Sequence, residues 1–430
     1  MATAATLAAG PLALASAAVP NPTPVAMPAE PGRRLRVGII GAGGKGGSGM
    51  EAAQFGDIRA ICDVDVNERS KAMLIHPATS TFADYREMLV AMKGKLDAVV
   101  ISTPDHHHFL SAAMAMRQGL HCYCEKPLTH TISEARQLGR IARENRVATQ
   151  MGNQSTASTA MRKTAALIRD GAFGEVREVH LWTNRAAAYW KQGVPRPPAA
   201  RAPRTLDFDL WLGPAPVRPY GEGYHPFAWR GWWDFGTGAL GDMGCHIMNL
   251  AFMALDLRDP IAISAKTSGH DRDSFPLWSV VDYEFGARHG RAPLKLSWYD
   301  GGKKPAESLA PGLPFGDNGV LIVCEKATLF GRDESNQNFV RLDGQAIPDI
   351  RVDESPGHMA EFFRAAQGGP AARSNFVDYG GPLTETVLLG NLAVWAEGDR
   401  LEWDARAMRV KGHPELDALI RPTYRKGWSL

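Results

Sequence analysis

A glycine-rich turn near the start of the chain has the residue types needed to hold a phosphate. Segment 41–46 reads GAGGKG, fits the pattern G-x-G-x-x-G, and follows the apolar run RLRVGII. Glycines permit a tight turn and close backbone approach, and the helix that follows offers free N–H groups to a pyrophosphate. Asp63 ends a second apolar run about twenty residues later, where a carboxylate binds ribose hydroxyls. This pattern predicts a dinucleotide site; an ordinary strand–turn–helix with an acidic loop is the alternative.

The charges after the second strand favour one form of nicotinamide cofactor. The carboxylate of Asp63 would repel a 2′-phosphate, so NAD is favoured over NADP. Arg69 and Lys71 lie a few residues further on and moderate that preference. We therefore expect NAD, with NADP as the weaker alternative.

A second set of residues suits chemistry at a hydroxyl group. Asp242 and His246 stand four residues apart, and the apolar continuation to Leu255 predicts a helix starting near Asp242, so both side chains share one face. A histidine titrates near neutrality and can accept a hydroxyl proton, while a carboxylate can orient it. The ammonium of Lys126 can stabilise developing alkoxide charge. The alternatives are a helix N-cap for Asp242, a structural histidine and a surface lysine.

Alternating strands and helices in the first part of the chain must position these residues. Apolar runs and amphipathic segments predict strands at 34–40, 58–62, 96–102, 121–124 and 147–151, with helices at 106–118 and 132–144. This alternation predicts a doubly wound parallel sheet, the Rossmann arrangement. In such sheets ligands collect beyond the carboxyl ends of the strands. The residues expected to converge there are Gly41, Asp63, Pro104, Lys126 and Asn153.

The pattern changes beyond residue 154. Alternating runs predict strands at 175–184, 261–267, 279–285, 293–299 and 320–330, as in a mostly antiparallel sheet. Helices are predicted at 158–169, 356–366 and 383–395. We therefore divide the chain into a leader and linker (1–32), a Rossmann domain (33–154) and an α/β domain (155–430). The Pro/Ala/Arg-rich segment 185–204 is expected to be a surface loop, either a lid or an arm across a partner subunit.

Four motifs together resemble the Gfo/Idh/MocA oxidoreductases. They are the glycine turn, the segment Ser102-Thr103-Pro104-Asp105-His106, the tripeptide Glu125-Lys126-Pro127, and Asp242-x-x-x-His246. The resemblance extends from Arg33 over most of the chain. It implies a Rossmann domain followed by an α/β domain with a large open sheet that serves substrate binding and oligomerisation. The reaction it implies is NAD(P)-dependent oxidation or reduction of a sugar, cyclitol or related polyol.

The resemblance also assigns roles to individual residues. It makes Lys126 the catalytic lysine near the nicotinamide, and Asp242 and His246 the acid/base pair; all three would also bind substrate. Together with the glycine turn and the strand ends, the expected cofactor-binding residues are Gly41, Gly43, Gly44, Lys45, Gly46, Asp63, Thr103, Pro104, His107, Glu125, Lys126 and Asn153. A carbohydrate substrate and a homo-oligomer, dimer or tetramer, are expected partners.

The tryptophan-rich segment 224–234 supplies further candidates for binding a sugar. Indole rings can stack on the apolar face of a sugar, and the candidates for this role are Trp182, Trp229, Trp232 and Trp233, of which Trp232 is taken as the site residue. Arg230 beside it is a candidate for binding substrate hydroxyls. Core or subunit packing is the alternative for each tryptophan, and an ion pair with Asp234 is the alternative for the arginine.

A metal site is not expected. His106, His107 and His108 follow Asp105, but adjacent residues at a helix start point in different directions. The sequence holds no HExxH motif and no spaced Cys/His cluster. The five cysteines include no CxxC pair, so a disulfide scaffold is not expected either. Cys122 and Cys124 alternate on one strand and are expected to pack in the core.

Composition excludes several classes of protein. Of 430 residues, 44% are apolar and 22% charged, which rules out collagen-like, coiled-coil and disordered chains. The net charge of +2 is too balanced for a protein that binds nucleic acid by neutralising phosphates. No segment has the length and apolar character of a membrane span. The chain is expected to be globular.

The first 32 residues favour export. Residues 1–18 are small and apolar, Ala15-Ser16-Ala17 resembles a cleavage site, and a Pro-rich stretch follows. A signal peptide needs a basic n-region, which a start further upstream would supply, for instance as a twin-arginine leader. That route suits a protein folded around a cofactor. We expect a periplasmic or secreted protein; a cytoplasmic protein with a disordered extension is the alternative.

Three functions compete at this stage. The first is an NAD-dependent sugar or polyol dehydrogenase. The second is a glycoside hydrolase on the same scaffold that uses tightly bound NAD for transient oxidation and elimination; its Gly-Gly-His-Gly-Gly motif is replaced here by GTGALGD (236–242). The third is a non-catalytic carbohydrate-binding or assembly protein, which the joint presence of Lys126, Asp242 and His246 argues against.

Overall fold

The computed structural model describes residues 33–185, 190–332 and 339–430. The leader expected over residues 1–32 lies outside these residues. The first sheet contains six parallel strands in the order β3-β2-β1-β4-β5-β6. Its strands are β1 (Leu35–Ile40), β2 (Gly56–Cys62), β3 (Ser80–Phe82), β4 (Ala98–Ile101), β5 (His121–Glu125) and β6 (Thr149–Gly152). The predicted doubly wound parallel sheet is confirmed.

Helices cover both faces of this sheet because its strands are apolar on both sides. On β4, Val99 and Ile101 enter one core, and Ala98 and Val100 enter another. The helices of this part of the chain are α1 (Gly47–Ala52), α2 (Val66–Ile75), α3 (Tyr85–Ala91), α4 (Asp105–Arg117) and α5 (Ile132–Asn145).

Three of these elements, α2, β3 and α3, were not predicted. Helix α2 buries only Ala72, so it lacks the apolar stripe by which a helix is recognised in a sequence. Strand β3 has three residues, none of them buried. The signals that were present are the N-caps Asp65 and Asp84, whose side chains accept hydrogen bonds from the first turns of α2 and α3.

The second sheet contains nine strands in the order β13-β12-β11-β7-β10-β9-β8-β14-β15. Strands β7 and β10 pair in parallel and the other neighbours pair antiparallel. The strands are β7 (Val176–Thr183), β8 (Ala262–Thr267), β9 (Ser279–Phe285), β10 (Leu294–Tyr299), β11 (Asn318–Cys324), β12 (Thr328–Gly331), β13 (Phe339–Arg341), β14 (Leu401–Asp404) and β15 (Arg409–Val410). The predicted mostly antiparallel sheet is confirmed.

Two predicted elements of the second part differ from the structure. The single strand expected at 320–330 is the hairpin of β11 and β12, in which Val323 pairs with Thr328 across a turn. Apolar runs on both sides hid that turn. The helix expected to start near Asp242 begins at Gly238, with Thr237 at its N-cap position. Asp242 therefore lies inside the helix and is not its N-cap.

Helices of the second part of the chain pack against both sheets. They are α6 (Thr159–Arg169), α7 (Phe208–Leu212), α8 (Gly238–Ile247), α9 (Asn249–Leu255), α10 (His358–Ala366), α11 (Gly380–Ala396) and α12 (Asp417–Ile420). Helix α11 packs against α5, α8 and β8. Helix α10 packs Met359, Phe362 and Phe363 onto the first sheet. Among the described residues, no helix combines the length and apolar character needed to cross a bilayer.

All five cysteines fall within the described residues and are buried and unbridged. Cys122 and Cys124 point to the same face of β5 and enter one core, together with Val99 and Ile101 of the neighbouring strand. Packing therefore accounts for these two residues.

Candidate functional site

One cavity of about 740 Å³ follows the carboxyl ends of the strands of the first sheet. The first domain contributes the glycine turn, Asp63 and Lys126, and the second contributes helix α8. Of the residues predicted for the site, those that line the cavity are Gly41, Gly43, Gly44, Lys45, Asp63, Thr103, Pro104, His107, Glu125, Lys126, Arg230, Asp242 and His246. A single cavity thus joins the predicted cofactor site to the predicted acid–base residues.

The glycine turn has a backbone that side chains would obstruct. Gly41 has φ +86°, and a Cβ there would lie 2.7 Å from the backbone carbonyl of Ser102. Gly44 has φ +51°. Gly46 is buried within the turn, where a Cβ would lie 2.9 Å from the Gly41 carbonyl oxygen. These glycines therefore hold the turn close to the strand ends, as a phosphate cradle requires.

Asp63 is tied to the glycine turn. Its Oδ2 accepts hydrogen bonds from the backbone N–H groups of Ala42 (2.8 Å) and Gly43 (3.2 Å). Burial raises the pKa of this carboxyl, although the backbone hydrogen bonds oppose that effect. Arg69 donates to the Asp63 carbonyl oxygen, and Lys71 pairs with Glu68 at 2.6 Å. Both cations named in the sequence therefore have partners beside the ribose position.

Lys126, Asp242 and Arg230 form one ion cluster. The Nζ of Lys126 donates to Asp242 Oδ1 at 2.8 Å and to the Asp242 carbonyl oxygen at 3.0 Å. The Nε of Arg230 donates to the same Oδ1 at 3.2 Å. The Arg230 guanidinium also lies 4.2 Å from the centre of the Trp229 ring. Two cations thus share one carboxylate at this end of the cavity.

The charges of the cluster set the protonation of its members. Burial would raise the pKa of Asp242, but Lys126 and Arg230 outweigh it and hold that pKa at about 2. Burial, helped by the Lys126 charge, lowers the pKa of His246 to about 3. Asp242 is therefore an anion and His246 a neutral imidazole at pH 7. The expectation that this histidine titrates near neutrality is therefore wrong, because burial disfavours its charged form; the neutral imidazole that remains is the form that accepts a proton.

Of the three adjacent histidines, His106 and His107 both contact the Trp211 carbonyl oxygen, and only His108 points elsewhere. His107 Nε2 lies 2.8 Å from the Trp211 carbonyl oxygen. His108 lies between the Thr103 and Pro127 carbonyl oxygens, at 2.9 and 2.8 Å. Over the described ranges, no group of three His, Cys, Asp or Glu side chains is arranged to hold a metal ion. Of the three histidines, His107 and His108 line the cavity.

Three predicted site residues do not line the cavity: Gly46, Asn153 and Trp232. Asn153 is fully buried, and its Oδ1 accepts from Ser374 Oγ at 2.5 Å. Trp232 packs edge-on against Tyr224 in a separate aromatic core. Its neighbour Trp229 lines the cavity instead. The short 3₁₀ turn Ala228–Gly231 determines which tryptophan faces the cavity, and the sequence does not reveal this turn.

Sequence reasoning missed other residues of the cavity. Asp105 accepts a hydrogen bond from Thr237 Oγ1 at 2.7 Å, and burial raises its pKa to about 6. Trp190 lies in the segment expected to be a surface loop, yet it is buried and lines the cavity. Residues 186–189 of that segment lie outside the described residues. Trp428 reaches the cavity from the far end of the chain, with no local motif to mark it.

The fold and the cavity define a class of two-domain α/β proteins with a Rossmann nucleotide site. Residues 35–153 match the Gfo/Idh/MocA oxidoreductase family, NAD-binding Rossmann fold, and residues 157–289 match the C-terminal α/β domain of the same family. Together the two matches span more than half of the chain. The chain belongs to the Gfo/Idh/MocA family, as its motifs predicted, and its first domain is of the NAD-binding type.

Similar proteins are known among curated sequences and solved structures. A glycosyl hydrolase family 109 protein from Solibacter usitatus is 33% identical over 174 residues, 37% of this chain and 38% of that protein. A UDP-N-acetylglucosamine 3-dehydrogenase from Acidithiobacillus ferrooxidans is 29% identical over 178 residues, 41% of this chain and 49% of that protein. The matches therefore span less than half the length of either relative.

The fold is shared with solved dehydrogenase structures. One is the WlbA dehydrogenase from Bordetella pertussis in complex with NADH and UDP-GlcNAcA, with a TM-score of 0.62 and 17% identity. The similarity covers 86% of this chain and 98% of that one. At this identity the likeness establishes the two-domain fold.

Proposed function

We propose that this chain is an NAD-dependent oxidoreductase acting on a sugar, cyclitol or related polyol. It transfers a hydride between a hydroxyl-bearing carbon of that substrate and the nicotinamide. The observation that carries the proposal is the single cavity in which the glycine turn and Asp63 are continuous with Lys126, Asp242 and His246. Dehydrogenase chemistry requires this continuity, because the cofactor and the alcohol must meet.

The residues of the cavity fit a dinucleotide. Three glycines of the turn line the cavity with backbone and no side chains, and Asp63 stands at the ribose position. Thr103 Oγ1 and Glu125 Oε2 are buried in the cavity wall and have no hydrogen-bond partner among the described residues. Buried polar atoms usually have partners, so these two support the presence of a polar ligand in the cavity.

The acid–base residues act on the substrate hydroxyl. NAD, when bound, supplies the acceptor for the hydride. Lys126 holds the substrate oxygen and stabilises the negative charge that develops on it, since its ammonium is fixed by Asp242. His246 accepts the hydroxyl proton in its neutral form. Arg230 helps to keep Asp242 ionised, so Asp242 positions the lysine.

Lys126→Ala tests this assignment directly. We expect turnover to fall by at least about a hundredfold, because a positioned charge-stabilising donor is lost. NAD affinity should change little, since the glycine turn and Asp63 remain. Lys295→Ala, on the exposed face of β10, is the matched control and should keep full activity. Unchanged turnover in Lys126→Ala would remove this lysine from the mechanism.

A glycoside hydrolase with captive NAD is the second candidate. It is favoured by the glycosyl hydrolase family 109 relative, which matches 37% of this chain. The two candidates predict different products. Protein purified without added cofactor should be denatured and assayed for released nicotinamide nucleotide, while sugars and synthetic glycosides are screened with and without NAD. NADH accumulation on a free sugar supports the dehydrogenase. Stoichiometric bound NAD with aglycone release and no net NADH supports the hydrolase.

We propose in addition that the protein is a homo-oligomer, a dimer or tetramer, and that it acts outside the cytoplasm. The first proposal is supported by the family resemblance and the second by the apolar, Pro-rich composition of residues 1–32. Light scattering on the purified protein tests the subunit number. Cell fractionation of a tagged full-length gene product tests the compartment.

A further inference from the structure

Residues 421–430, here called the tail segment, return from the second domain to the edge of the cavity. Tyr424 donates through its hydroxyl to Glu134 Oε1 at 2.7 Å. Arg425 donates through Nε to the Gly213 carbonyl oxygen at 2.8 Å and through Nη2 to the Asp209 carbonyl oxygen at 2.9 Å. These bonds fix the middle of the tail segment on α5 and α7. Its next residues are thereby held beside the first domain.

Trp428 is the residue of the tail segment that lines the cavity. Its side chain is buried and lines the cavity. The guanidinium of Arg86 lies 3.8 Å from the centre of its ring, and Arg86 Nη1 donates to the Gly427 carbonyl oxygen at 3.1 Å. Asp84 in turn fixes Arg86 with an ion pair at 2.6 Å. The indole is therefore held in one orientation from the first domain as well.

His107 lies beside Trp428 in the cavity wall. Its ring lies 5.6 Å from the Trp428 ring, centre to centre. Gly213, which binds Arg425, has φ +52°, and a Cβ there would lie 2.1 Å from His107 Cε1. Gly213, whose carbonyl binds Arg425 of the tail segment, can therefore lie against His107 only because it has no side chain. Burial lowers the pKa of His107 to about 4, so its ring is neutral at pH 7.

The position of this wall identifies the part of the dinucleotide it meets. The pyrophosphate belongs at the glycine turn after β1, the ribose at Asp63 after β2, and the nicotinamide at Lys126 after β5. In the sheet order β3-β2-β1-β4-β5-β6, the adenosine half lies toward β3. Asp84 and Arg86, which hold Trp428, follow β3 directly.

We propose that Trp428 binds the adenine base of the cofactor, which makes the tail segment part of the cofactor site. A planar heteroaromatic base is matched chemically by a fixed indole and a neutral imidazole. The inference rests on the proposed function insofar as that function places a dinucleotide in the cavity.

Calorimetric binding of two cofactor fragments tests the proposal. ADP-ribose carries the adenosine half and nicotinamide mononucleotide carries the other half. We expect Trp428→Ala to lose about tenfold or more in affinity for ADP-ribose, the range of a lost base–aromatic contact, with little change for the mononucleotide. Trp428→Phe should retain most of the affinity. Trp278→Ala removes an indole that stacks on Lys303 outside the cavity and should change neither.

Each other outcome has a definite meaning. Equal ADP-ribose affinity in the wild type and Trp428→Ala would overturn the role of Trp428 and leave the proposed function standing. Equal losses for both fragments would show a general loosening of the fold and would also overturn it. A wild-type protein that binds neither ADP-ribose nor NAD would overturn the cofactor site together with this inference. If Trp428→Ala does not fold, Trp428→Leu keeps most of the volume and removes the aromatic face.

Discussion

The carboxylate of Asp242 holds two cations, Lys126 and Arg230, at one end of the cavity. His246 is neutral there, and Asp105, whose pKa burial raises to about 6, adds a second carboxylate that is mostly ionised at pH 7. The positive and negative charges of this group are therefore nearly balanced. Interactions among charges are strong where water is excluded. An alkoxide forming beside Lys126 would be stabilised by the ammonium that Asp242 holds in place, and not by an excess of positive charge.

Asp63 allows a prediction at the same scale. Asp63→Ala should weaken NAD binding more than NADP binding, because the variant loses a ribose acceptor but also loses repulsion against a 2′-phosphate. We expect a loss of about tenfold or more for NAD, the cost of a charged hydrogen bond. Fluorescence titration with both cofactors measures it. Asp57→Ala removes a half-buried carboxylate on the strand that ends just before Asp63 and is the control; equal losses for NAD and NADP would contradict the assignment.

The sequence predicted only part of the site at this scale. Asp242 and His246 were placed on one helical face by their spacing alone. The contact of Lys126 with Asp242 joins residues 116 positions apart, and no local pattern encodes it. The choice between Trp229 and Trp232 depended on a 3₁₀ turn within a run of aromatic residues. Residues at strongly periodic or strand-end positions could thus be predicted from the sequence, and contacts between the two domains could not.

At the scale of elements, burial determined which helices and strands could be predicted from the sequence. The strands of the first sheet are almost continuously apolar because helices cover both faces, and such runs are conspicuous. Helix α2 and strand β3 lie at the exposed edge and carry little apolar signal. The hairpin of β11 and β12 was hidden for the opposite reason, since apolar residues flank its turn closely.

Helix α10 allows a prediction about stability. Phe362 is fully buried between α10 and the first sheet. Phe362→Ala should lower the free energy of unfolding by about 3–5 kcal/mol, because it leaves a cavity in that core. Urea unfolding followed by circular dichroism measures the change. Leu74→Ala on α2 removes a side chain that is 85% exposed and should cost less than about 0.5 kcal/mol. Equal effects of the two substitutions would contradict this packing.

At the scale of the whole molecule, buried histidines dominate the titration. Burial lowers the pKa of five of them to about 3 or 4: His107, His108, His121, His246 and His358. Their usual value is 6.5, so the unfolded chain binds more protons between about pH 4 and 6.5. Stability is therefore lost as pH falls through that window. Three buried carboxyls oppose this effect most clearly, because burial raises their pKa to about 6 or 7: Asp105, Glu134 and Asp300. Burial also raises the pKa of Asp63, Glu125 and Glu385 and lowers that of His106, His130 and His180, so eight histidines stand against six carboxyls.

The histidines outnumber the opposing carboxyls, so we predict lower stability at pH 5 than at pH 7. The difference in the free energy of unfolding should be on the order of 4 kcal/mol in favour of pH 7. Urea titrations at the two pH values and constant ionic strength measure it. Equal midpoints would mean that these histidines are not held neutral in the folded protein.

The packing of α10 on the first sheet affects how the chain folds during synthesis, because α10 is made long after the strands it covers. The six strands are complete once residue 152 has left the ribosome, but the aromatic residues of α10 that cover one face follow only at 358–366. Domains generally fold as units while the chain emerges. Here one face of the nascent nucleotide domain is covered only in part, by α1, until residues 358–366 have been made. A gene cut after β6 should therefore yield two fragments that are soluble together and aggregate apart.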